Sequence, residues 1–489
     1  MPSFLKRLFP LALVPALALG LAACDSNDDD DDDGGGMTTV DPLNAVYDTT
    51  GTEIRVTDLN ASGVAPNTGG NITWSSDFTY ILTNRVFVNS GQTLTIEPGT
   101  VVKGEPGLRE NATALIVARG GRLLADGTAA EPIVFTALAD DVNDDDDEPD
   151  AGSWGGLIVL GNAQSNASIR NIEGIPTTEP RGLYGCGDTF ACDDDDDSGV
   201  IRYVSIRYGG SEIGEANEIN GLTLGSVGRG TTVEYVEVFR NQDDGFEWFG
   251  GTVNARYLVS AFVGDEAFDT DQGYRGTNQF VFGLHDGAGD NGFEMDGGDA
   301  DFGGEDAQPY STPTFANVTV IGAGANRGAR IKENAAPSFY RAHFAGFERG
   351  VTIQDTDGED SRNRFETGDA EFGLNSILFG AFTGDDDDNG TAGDPLDVAG
   401  GETYTLALLT AANATFFGDN SGVVSVSTSA DGGLNPTAAG PALTNVGALP
   451  SNPFLIEQGA NCIGAVCPGN NWLQGWTALS RLGYLSGDA

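Results

Sequence analysis

Residues 242–251 read QDDGFEWFGG, residues 264–273 read GDEAFDTDQG and residues 289–298 read GDNGFEMDGG. The three segments are copies of one phrase, and their aligned phenylalanines Phe246, Phe268 and Phe293 lie 22 and then 25 residues apart. A fixed period in this range indicates structural units that stack on one another. Because the surrounding runs are β-branched and lack a helical pattern, the sequence predicts an all-β solenoid, a parallel β-helix, with one coil per repeat and each Phe inside it.

The same phrase predicts an acidic outer face. Side chains alternate between the two faces of an extended chain, so residues at odd offsets from an inward Phe point outward. The outward positions are acidic: Asp243, Glu247, Asp265, Asp269, Asp271, Asp290, Glu294 and Asp296. Coils lie roughly 4.8 Å apart, so stacked carboxylates repel unless a cation intervenes or their pKa values rise.

A metal site is one way to relieve this repulsion. Calcium suits it best, as a candidate cofactor, because every ligand is an oxygen. The candidate metal ligands are Asp265, Asp269, Asp271, Asp290, Glu294 and Asp296. Nearby Arg275, Arg330 and Lys332 are an alternative source of positive charge, and high salt alone is another.

The N-terminal segment is typical of export. Lys6 and Arg7 precede an apolar run, and residues 21–24 read LAAC, which resembles a bacterial lipobox. We expect residues 1–23 to be a lipoprotein signal peptide and Cys24 to be the lipidated residue; a plain signal peptide with a chance Cys is the alternative.

Residues 24–70 are predicted to contain the lipidated Cys, an acidic, glycine-rich tether and an N-terminal extension, and residues 71–489 the right-handed parallel β-helix domain with a C-terminal cap. Acidic residues behind the lipidated Cys resemble the surface-export signal of Bacteroidota-type lipoproteins, whereas in enterobacteria they favour inner-membrane retention. We expect an outer-membrane lipoprotein exposed at the cell surface, in contact with the membrane only through its lipid.

Charge and cysteine content limit the partners further. A formal net charge of −49 repels nucleic acid, which we exclude as a partner, and suits a high-salt environment. In an exported chain the close pairs Cys186 with Cys192 and Cys462 with Cys467 predict two local disulfides, and metal binding is the alternative.

Several phrases resemble a known family: TLTIEPGTVVKG at 93–104, GTAAEPIVFTA at 127–137, GSWGGLIVLGNA at 152–163, DEAFDTDQGYRG at 265–276 and NCIGAVCPGNNWLQGWT at 461–477. They are similar to bacterial surface proteins of the pectin-lyase-like superfamily. The resemblance covers roughly residues 71–477 and implies a right-handed parallel β-helix. It implies no particular activity.

Acidic insertions interrupt the predicted coils at Asp140 to Asp150, Asp193 to Asp197 and Asp385 to Asp388. Clustered carboxylates of this kind are typical of calcium loops. Solvated acid adapted to salt is the alternative interpretation.

Two function classes remain open. A polysaccharide-degrading enzyme, a polygalacturonase-like hydrolase or a lyase, would draw on Asp243, Asp244, Asp269, Asp271, Arg330 and Lys332. Against it, the order of the aspartate motifs is reversed relative to polygalacturonases, and their Gly-His-Gly segment has no counterpart. We therefore favour a non-catalytic surface module that binds glycan or cations or serves a structural role. Trp248, Phe249 and Tyr274 lie near the ladder, and packing in the core or at a coil edge is the favoured interpretation, because Trp248 falls on the inward parity; stacking on sugar rings is the alternative.

Overall fold

The computed structural model describes residues 47–59, 70–142, 148–214, 217–298, 304, 306–353, 361–380, 382, 408–417, 419–457 and 461–486. The predicted signal peptide, Cys24 and the loop at Asp385 to Asp388 lie outside these residues, as do residues 143–147 of the first acidic insertion. All of these described residues belong to one compact unit.

Two long sheets contain most of the strands. The larger sheet has 17 strands: β1 (Tyr47–Thr50), β2 (Glu53–Val56), β3 (Asn71–Trp74), β4 (Thr79–Leu82), β6 (Thr93–Ile96), β7 (Val101–Gly104), β9 (Arg122–Asp126), β10 (Ile133–Ala137), β14 (Gly199–Arg207), β18 (Thr232–Phe239), β20 (Asn254–Ala261), β22 (Thr277–Leu284), β24 (Thr314–Ile321), β26 (Ser338–Ala345), β28 (Glu371–Phe372), β29 (Ile377–Gly380) and β30 (Thr415–Phe417). The nine-stranded sheet contains β5 (Arg85–Val88), β8 (Ala114–Val117), β11 (Leu157–Leu160), β17 (Leu222–Gly225), β19 (Phe246–Phe249), β21 (Phe268–Asp271), β23 (Phe293–Met295), β25 (Arg327–Ile331) and β27 (Arg349–Ile353).

The remaining elements are short. Three antiparallel pairs are β12 (Arg170–Asn171) with β13 (Leu183–Tyr184), β15 (Glu212–Gly214) with β16 (Asn217–Glu218), and β31 (Val423–Ser425) with β32 (Asn435–Ala438). The helices are α1 (Ser361–Thr367) and α2 (Ala478–Arg481), with 3₁₀ turns at Arg109–Asn111, Pro180–Gly182 and Gly440–Leu443.

The chain alternates between the two sheets and pairs in parallel with the coil before it, so the molecule is a right-handed parallel β-helix, as predicted. Phe268 pairs in register with Phe246 on one side and with Phe293 on the other. Their rings are fully buried and stack with centroids 5.5 and 5.1 Å apart. The inward column of phenylalanines is therefore confirmed.

Six long strands of the larger sheet each turn a corner at one residue. The corner residues Tyr203, Tyr235, Tyr257, Phe280, Asn317 and Arg341 have φ angles between 47 and 60° and drop out of the strand register. This left-handed backbone is uncommon for bulky residues. Stacking compensates for it in the first four, whose rings lie 4.3, 4.1 and 4.8 Å apart along the outside of the coil. Each coil consequently has three sides.

Two strands precede the predicted start of the β-helix domain. Strands β1 and β2 form an antiparallel hairpin, and β2 pairs in parallel with β4 of the first coil. Both strands fall inside the segment assigned to the tether and the N-terminal extension, so pairing with the larger sheet starts before residue 71. The short run Glu53–Val56 is covered by a neighbouring coil, which its own sequence does not reveal.

A C-terminal strap, residues 461–486, runs back along the outside of the larger sheet. The Gly464 amide donates to the Arg341 carbonyl at 2.9 Å, and Trp472 packs edge-on against Tyr257. Farther along, Trp476 meets Tyr203, and the Ala478 amide donates to the Glu237 carboxylate at 2.6 Å. The strap thus covers the stacked corner rings.

Both close cysteine pairs are disulfide-bonded in the structure. Cys186 and Cys192 close a loop between β11 and β14, and Cys462 and Cys467 close a loop at the start of the C-terminal strap. Among the described residues, no helix has the length and apolar character needed to cross a membrane.

Candidate functional site

Acidic residues of the repeated segment form a column on the outside of the nine-stranded sheet. Glu247, Asp269 and Glu294 follow the inward phenylalanines by one residue and are neighbours in register on β19, β21 and β23. Arg330 of β25 is the next member of the column. Alternation along the strands explains this placement, because the residue after each buried Phe must face out.

A second column lies just before these strands. Asp244 and Glu266 each precede the strand's first Phe by two residues, and the Glu266 amide donates to Asp244 Oδ1 at 2.8 Å. Asn220 and Asn291 occupy the equivalent positions on the coils to either side. Backbone hydrogen bonds from Gly221, Gly245 and Ala267 to the carbonyls of Asp244, Glu266 and Asn291 keep the four in line.

The two columns bring carboxylates within chelating distance of one another. Among the described residues, three groups have ligand oxygens that all lie within 4.8 Å of each other: Asp243 with Asp244 and Asp265, Asp244 with Glu247 and Asp269, and Asp265 with Glu266 and Asp290. Such groups of hard oxygen donors match the ligands that calcium takes.

The loop between β11 and β14, residues 161–198, forms a wall beside this cluster. Its side chains Ile172, Ile175 and Tyr184 cover the apolar outer face of the earlier coils, where Ile116 and Ile158 point outward. This packing delivers Glu173 to the acidic columns. The Asn220 amide group donates to Glu173 Oε1 at 2.7 Å and also to Glu247.

An open pocket of about 430 Å³ lies among these carboxylates, and its acidic lining residues are Glu173, Asp243, Asp244, Glu247, Asp265, Glu266, Asp269 and Glu294. Burial raises the pKa values of Asp244, Glu247, Glu266 and Asp269 well above their usual range, and neighbouring carboxylates raise them further. The pocket therefore favours either protons or bound cations over bare negative charge.

Basic side chains close one end of the acidic column. Lys332 Nζ lies 2.8 Å from Glu294 Oε2 and 3.1 Å from Asp296 Oδ2, while Arg330 contacts the other Glu294 oxygen at 2.9 Å. Burial alone would lower the pKa of Lys332, but Asp296 and Glu294 outweigh it and raise that pKa. Lys332 is consequently held as an ammonium ion.

The structure brings together part of each predicted residue set. Of the candidate metal ligands, Asp265, Asp269 and Asp290 belong to the carboxylate groups described above. Glu294 and Asp296 are instead ion-paired with Lys332, and Asp271 accepts a hydrogen bond from the Gln272 amide at 2.5 Å. Of the candidate catalytic residues, Asp243, Asp244 and Asp269 lie in the pocket, whereas Asp271, Arg330 and Lys332 do not line it.

Two pocket residues escaped the sequence analysis. Glu266 lies two residues before Phe268, so alternation predicts an inward side chain, but this position precedes the strand and its backbone is not extended in a sheet. Glu173 comes from a loop that is remote in sequence, and nothing in its local pattern connects it to the acidic columns.

The aromatic residues near the acidic columns pack in the core, as the favoured interpretation has it, and Arg275 has a partner outside these columns. Trp248 and Tyr274 are fully buried and stack on each other at 5.3 Å, and Phe249 packs beneath the wall, so these rings are core residues and not a sugar platform. Arg275 does not relieve the acidic ladder, because its guanidinium binds Asp194 at 3.0 Å.

The acidic loop at Asp193 to Asp197 is held by arginines. Asp194 binds Arg275, Asp195 binds Arg229 at 2.7 Å, and Asp197 binds Arg122 at 2.6 Å. Because these carboxylates already have guanidinium partners, this loop is a poor candidate for calcium.

Comparison with known proteins gives one match. A family described as "Pectate-lyase like beta helix domain" matches residues 66–392, which is two thirds of the 489 residues. No curated protein and no solved structure matches the chain. The family match spans the coils that carry the acidic pocket and agrees with their parallel stacking. The chain therefore belongs to the family of pectate-lyase-like β-helix domain proteins.

Proposed function

We propose that this protein is a surface-anchored, non-catalytic β-helix module whose acidic pocket binds a divalent cation, with calcium the best candidate. The observation that carries the proposal is the set of three carboxylate groups with oxygens within 4.8 Å of one another. Their raised pKa values add support, because a cation removes the repulsion that otherwise favours protons.

The protonation and ion pairing of the basic residues favour binding over catalysis. A lyase needs a side chain that can abstract a proton, and a general base must be able to lose its own proton near the working pH. Lys332 is held as an ammonium ion between Glu294 and Asp296, and Arg330 is paired with Glu294. Neither side chain suits that role. A hydrolase using Asp243, Asp244 and Asp269 is the alternative that an assay on acidic polysaccharides would reveal.

The proposed partner is an anionic glycan. A cation in an open pocket keeps coordination positions that the protein does not fill, and uronate carboxylates are hard oxygen donors of the kind calcium accepts. The chain's net charge of −49 would repel such a polymer without a bridging cation. Retention of acidic polysaccharide by the protein should therefore require the divalent ion.

Calcium should stabilise the folded protein. At about 10 mM calcium, roughly 100 times a Kd typical of weak extracellular sites, mass action adds about 2.7 kcal/mol to the free energy of unfolding. Thermal unfolding at fixed ionic strength measures this increment. The double variant Glu247→Gln with Asp269→Asn removes two carboxylates of one group and should lose the increment of the ion bound there, whereas Asp77→Asn with Asp126→Asn, an equal change of charge outside the pocket, should keep the full increment.

The pH dependence gives the calcium experiment a second readout. The pocket acids have raised pKa values in the folded protein, so the folded state binds more protons than the unfolded state at intermediate pH. Without calcium, stability should therefore fall as pH rises above about 4, the usual carboxyl pKa. The calcium increment should grow over the same range. Equal stabilisation by sodium chloride at matched ionic strength would count against a specific site.

The lipid anchor is proposed from the LAAC segment at residues 21–24. Cys24→Ser should prevent lipidation, so the variant should leave the detergent-rich phase in a phase-partition experiment or remain as an unprocessed precursor. Protease treatment of intact cells tests surface exposure of the wild-type protein. Unchanged partitioning of the variant would contradict the anchor.

A further inference from the structure

The geometry points to two divalent-cation positions in the acidic cluster, each formed by carboxylates of two adjacent coils. This inference rests on the cation-binding function proposed above and specifies its stoichiometry. The first position lies among Asp244, Glu247 and Asp269, and the second among Asp265, Glu266 and Asp290. The two groups share no residue, and Asp243 lies close to Asp244 and Asp265 between them.

One ion cannot serve both groups. Residues at equivalent positions on neighbouring coils are separated by roughly 4.8 Å, the spacing of paired strands. Calcium takes oxygen ligands at about 2.3–2.6 Å. Two ligands of one ion are therefore at most about 5 Å apart. Glu247 and Asp290 belong to coils that are separated by a further coil, at roughly twice the coil spacing, so no single ion binds both.

The charge of the cluster also favours two ions. The three groups together contain seven different carboxylates: Asp243, Asp244, Glu247, Asp265, Glu266, Asp269 and Asp290. The nearby Lys332 and Arg330 are ion-paired with Glu294 and Asp296, which belong to none of these groups. A single divalent ion would leave most of the negative charge of the ionised cluster unbalanced, whereas two ions balance more than half of it.

Two buried asparagines supply an independent observation. Asn220 and Asn291 are both 0% exposed, and each directs its amide group into one end of the cluster. Asn220 donates to Glu173 and Glu247, and Asn291 donates to Glu266 and, at 2.8 Å, to Asp290. In both residues the amide oxygen Oδ1 is buried and has no hydrogen-bond partner.

The asparagines match the two proposed positions one to one. The second column runs from Asn220 through Asp244 and Glu266 to Asn291, so the two asparagines lie at its two ends. Carboxamide oxygens are ordinary calcium ligands. An ion bound here would displace the hydrogen bonds that each asparagine now donates. Rotation of the amide group would then turn its unpaired oxygen toward the ion. Each position would then combine three carboxylates with one neutral oxygen.

Calcium stoichiometry of the full-length protein tests the inference. Native mass spectrometry and calorimetric titration with calcium chloride should show that Glu247→Gln and Asp290→Asn each lose one ion relative to the wild type. The variant carrying both changes should lose two, and the control Asp77→Asn should lose none. Ions bound by acidic loops elsewhere cancel in these differences.

A further variant tests the neutral ligand and leaves every carboxylate in place. Asn291→Ala should weaken the second ion about tenfold, as loss of a supporting group at a metal site does, and leave the first unchanged. Melting curves establish that each variant is folded.

The outcomes separate the two claims. If Glu247→Gln and Asp290→Asn remove the same single ion, and the combined variant loses no more, the two-ion inference is wrong while cation binding stands. If no variant differs from the control, the pocket does not bind calcium and both claims fall.

Discussion

Phe268→Ala should lower the free energy of unfolding by about 3–5 kcal/mol, the usual cost of truncating a buried aromatic side chain. The Phe268 ring is 0% exposed and lies between the rings of Phe246 and Phe293, with centroids 5.5 and 5.1 Å away. Truncation removes two stacking contacts and leaves a cavity that the coils above and below cannot close, because their backbones are fixed by strand pairing. Chemical denaturation and the melting temperature both report the loss.

Phe190→Ala is the matched control for this variant. The Phe190 ring lies outside the coil, is only partly buried and packs beneath the Arg119 guanidinium at 4.6 Å. Its truncation should cost much less than that of Phe268. Equal losses in the two variants would show that the stacked column does not stabilise the solenoid as proposed.

Glu237→Ala should be comparably destabilising, by about 3–5 kcal/mol, because it removes one partner from a buried charged network. Glu237 is 0% exposed and accepts hydrogen bonds from the Ser205 hydroxyl at 2.6 Å and from the amides of Ala478 and Leu479. The buried Arg207 guanidinium donates to the same serine. Without the carboxylate, these donors remain buried and unsatisfied.

The expected signature of Glu237→Ala is local as well as global. The lost amide hydrogen bonds belong to the start of α2, so the C-terminal strap should become sensitive to limited proteolysis before the coils unfold. Glu234→Ala is the control, since Glu234 lies on the same strand but binds Arg202 and Arg256 in a partly exposed position. A strap that is equally resistant in both variants would contradict the role of Glu237.

The coil architecture could be predicted because one repeated residue defines it. The spacing of Phe246, Phe268 and Phe293 gives the length of a coil, and alternation from each Phe separates core from surface. Both inferences hold in the structure, where Trp248 is buried and Glu247 and Asp269 face the outer pocket. Alternation is reliable here because β19 and β21 are regular extended strands.

The pocket could be predicted only where that regularity holds. Glu266 and Asp244 lie in the irregular segments that precede the strands, where a count of alternating positions no longer gives the direction of a side chain. Glu173 reaches the site because Ile172 and Ile175 pack on the apolar coils, which is a tertiary contact without local pattern. For the same reason, the contact between the strap and Glu237 could not be read from the sequence.

The acidic columns of the pocket repeat from coil to coil, and this repetition determines how the site can change in evolution. The coils of β19 and β21 each add one acidic residue before the strand, Asp244 or Glu266, and one within it, Glu247 or Asp269, and the strand residues are in register. Duplication of one 22-residue unit would therefore lengthen the pocket by about 4.8 Å without disturbing existing rows. Deletion of a unit would shorten it by the same step. The capacity of this surface is set by the number of coils, so evolution can adjust it by copying whole units and need not invent new ligands.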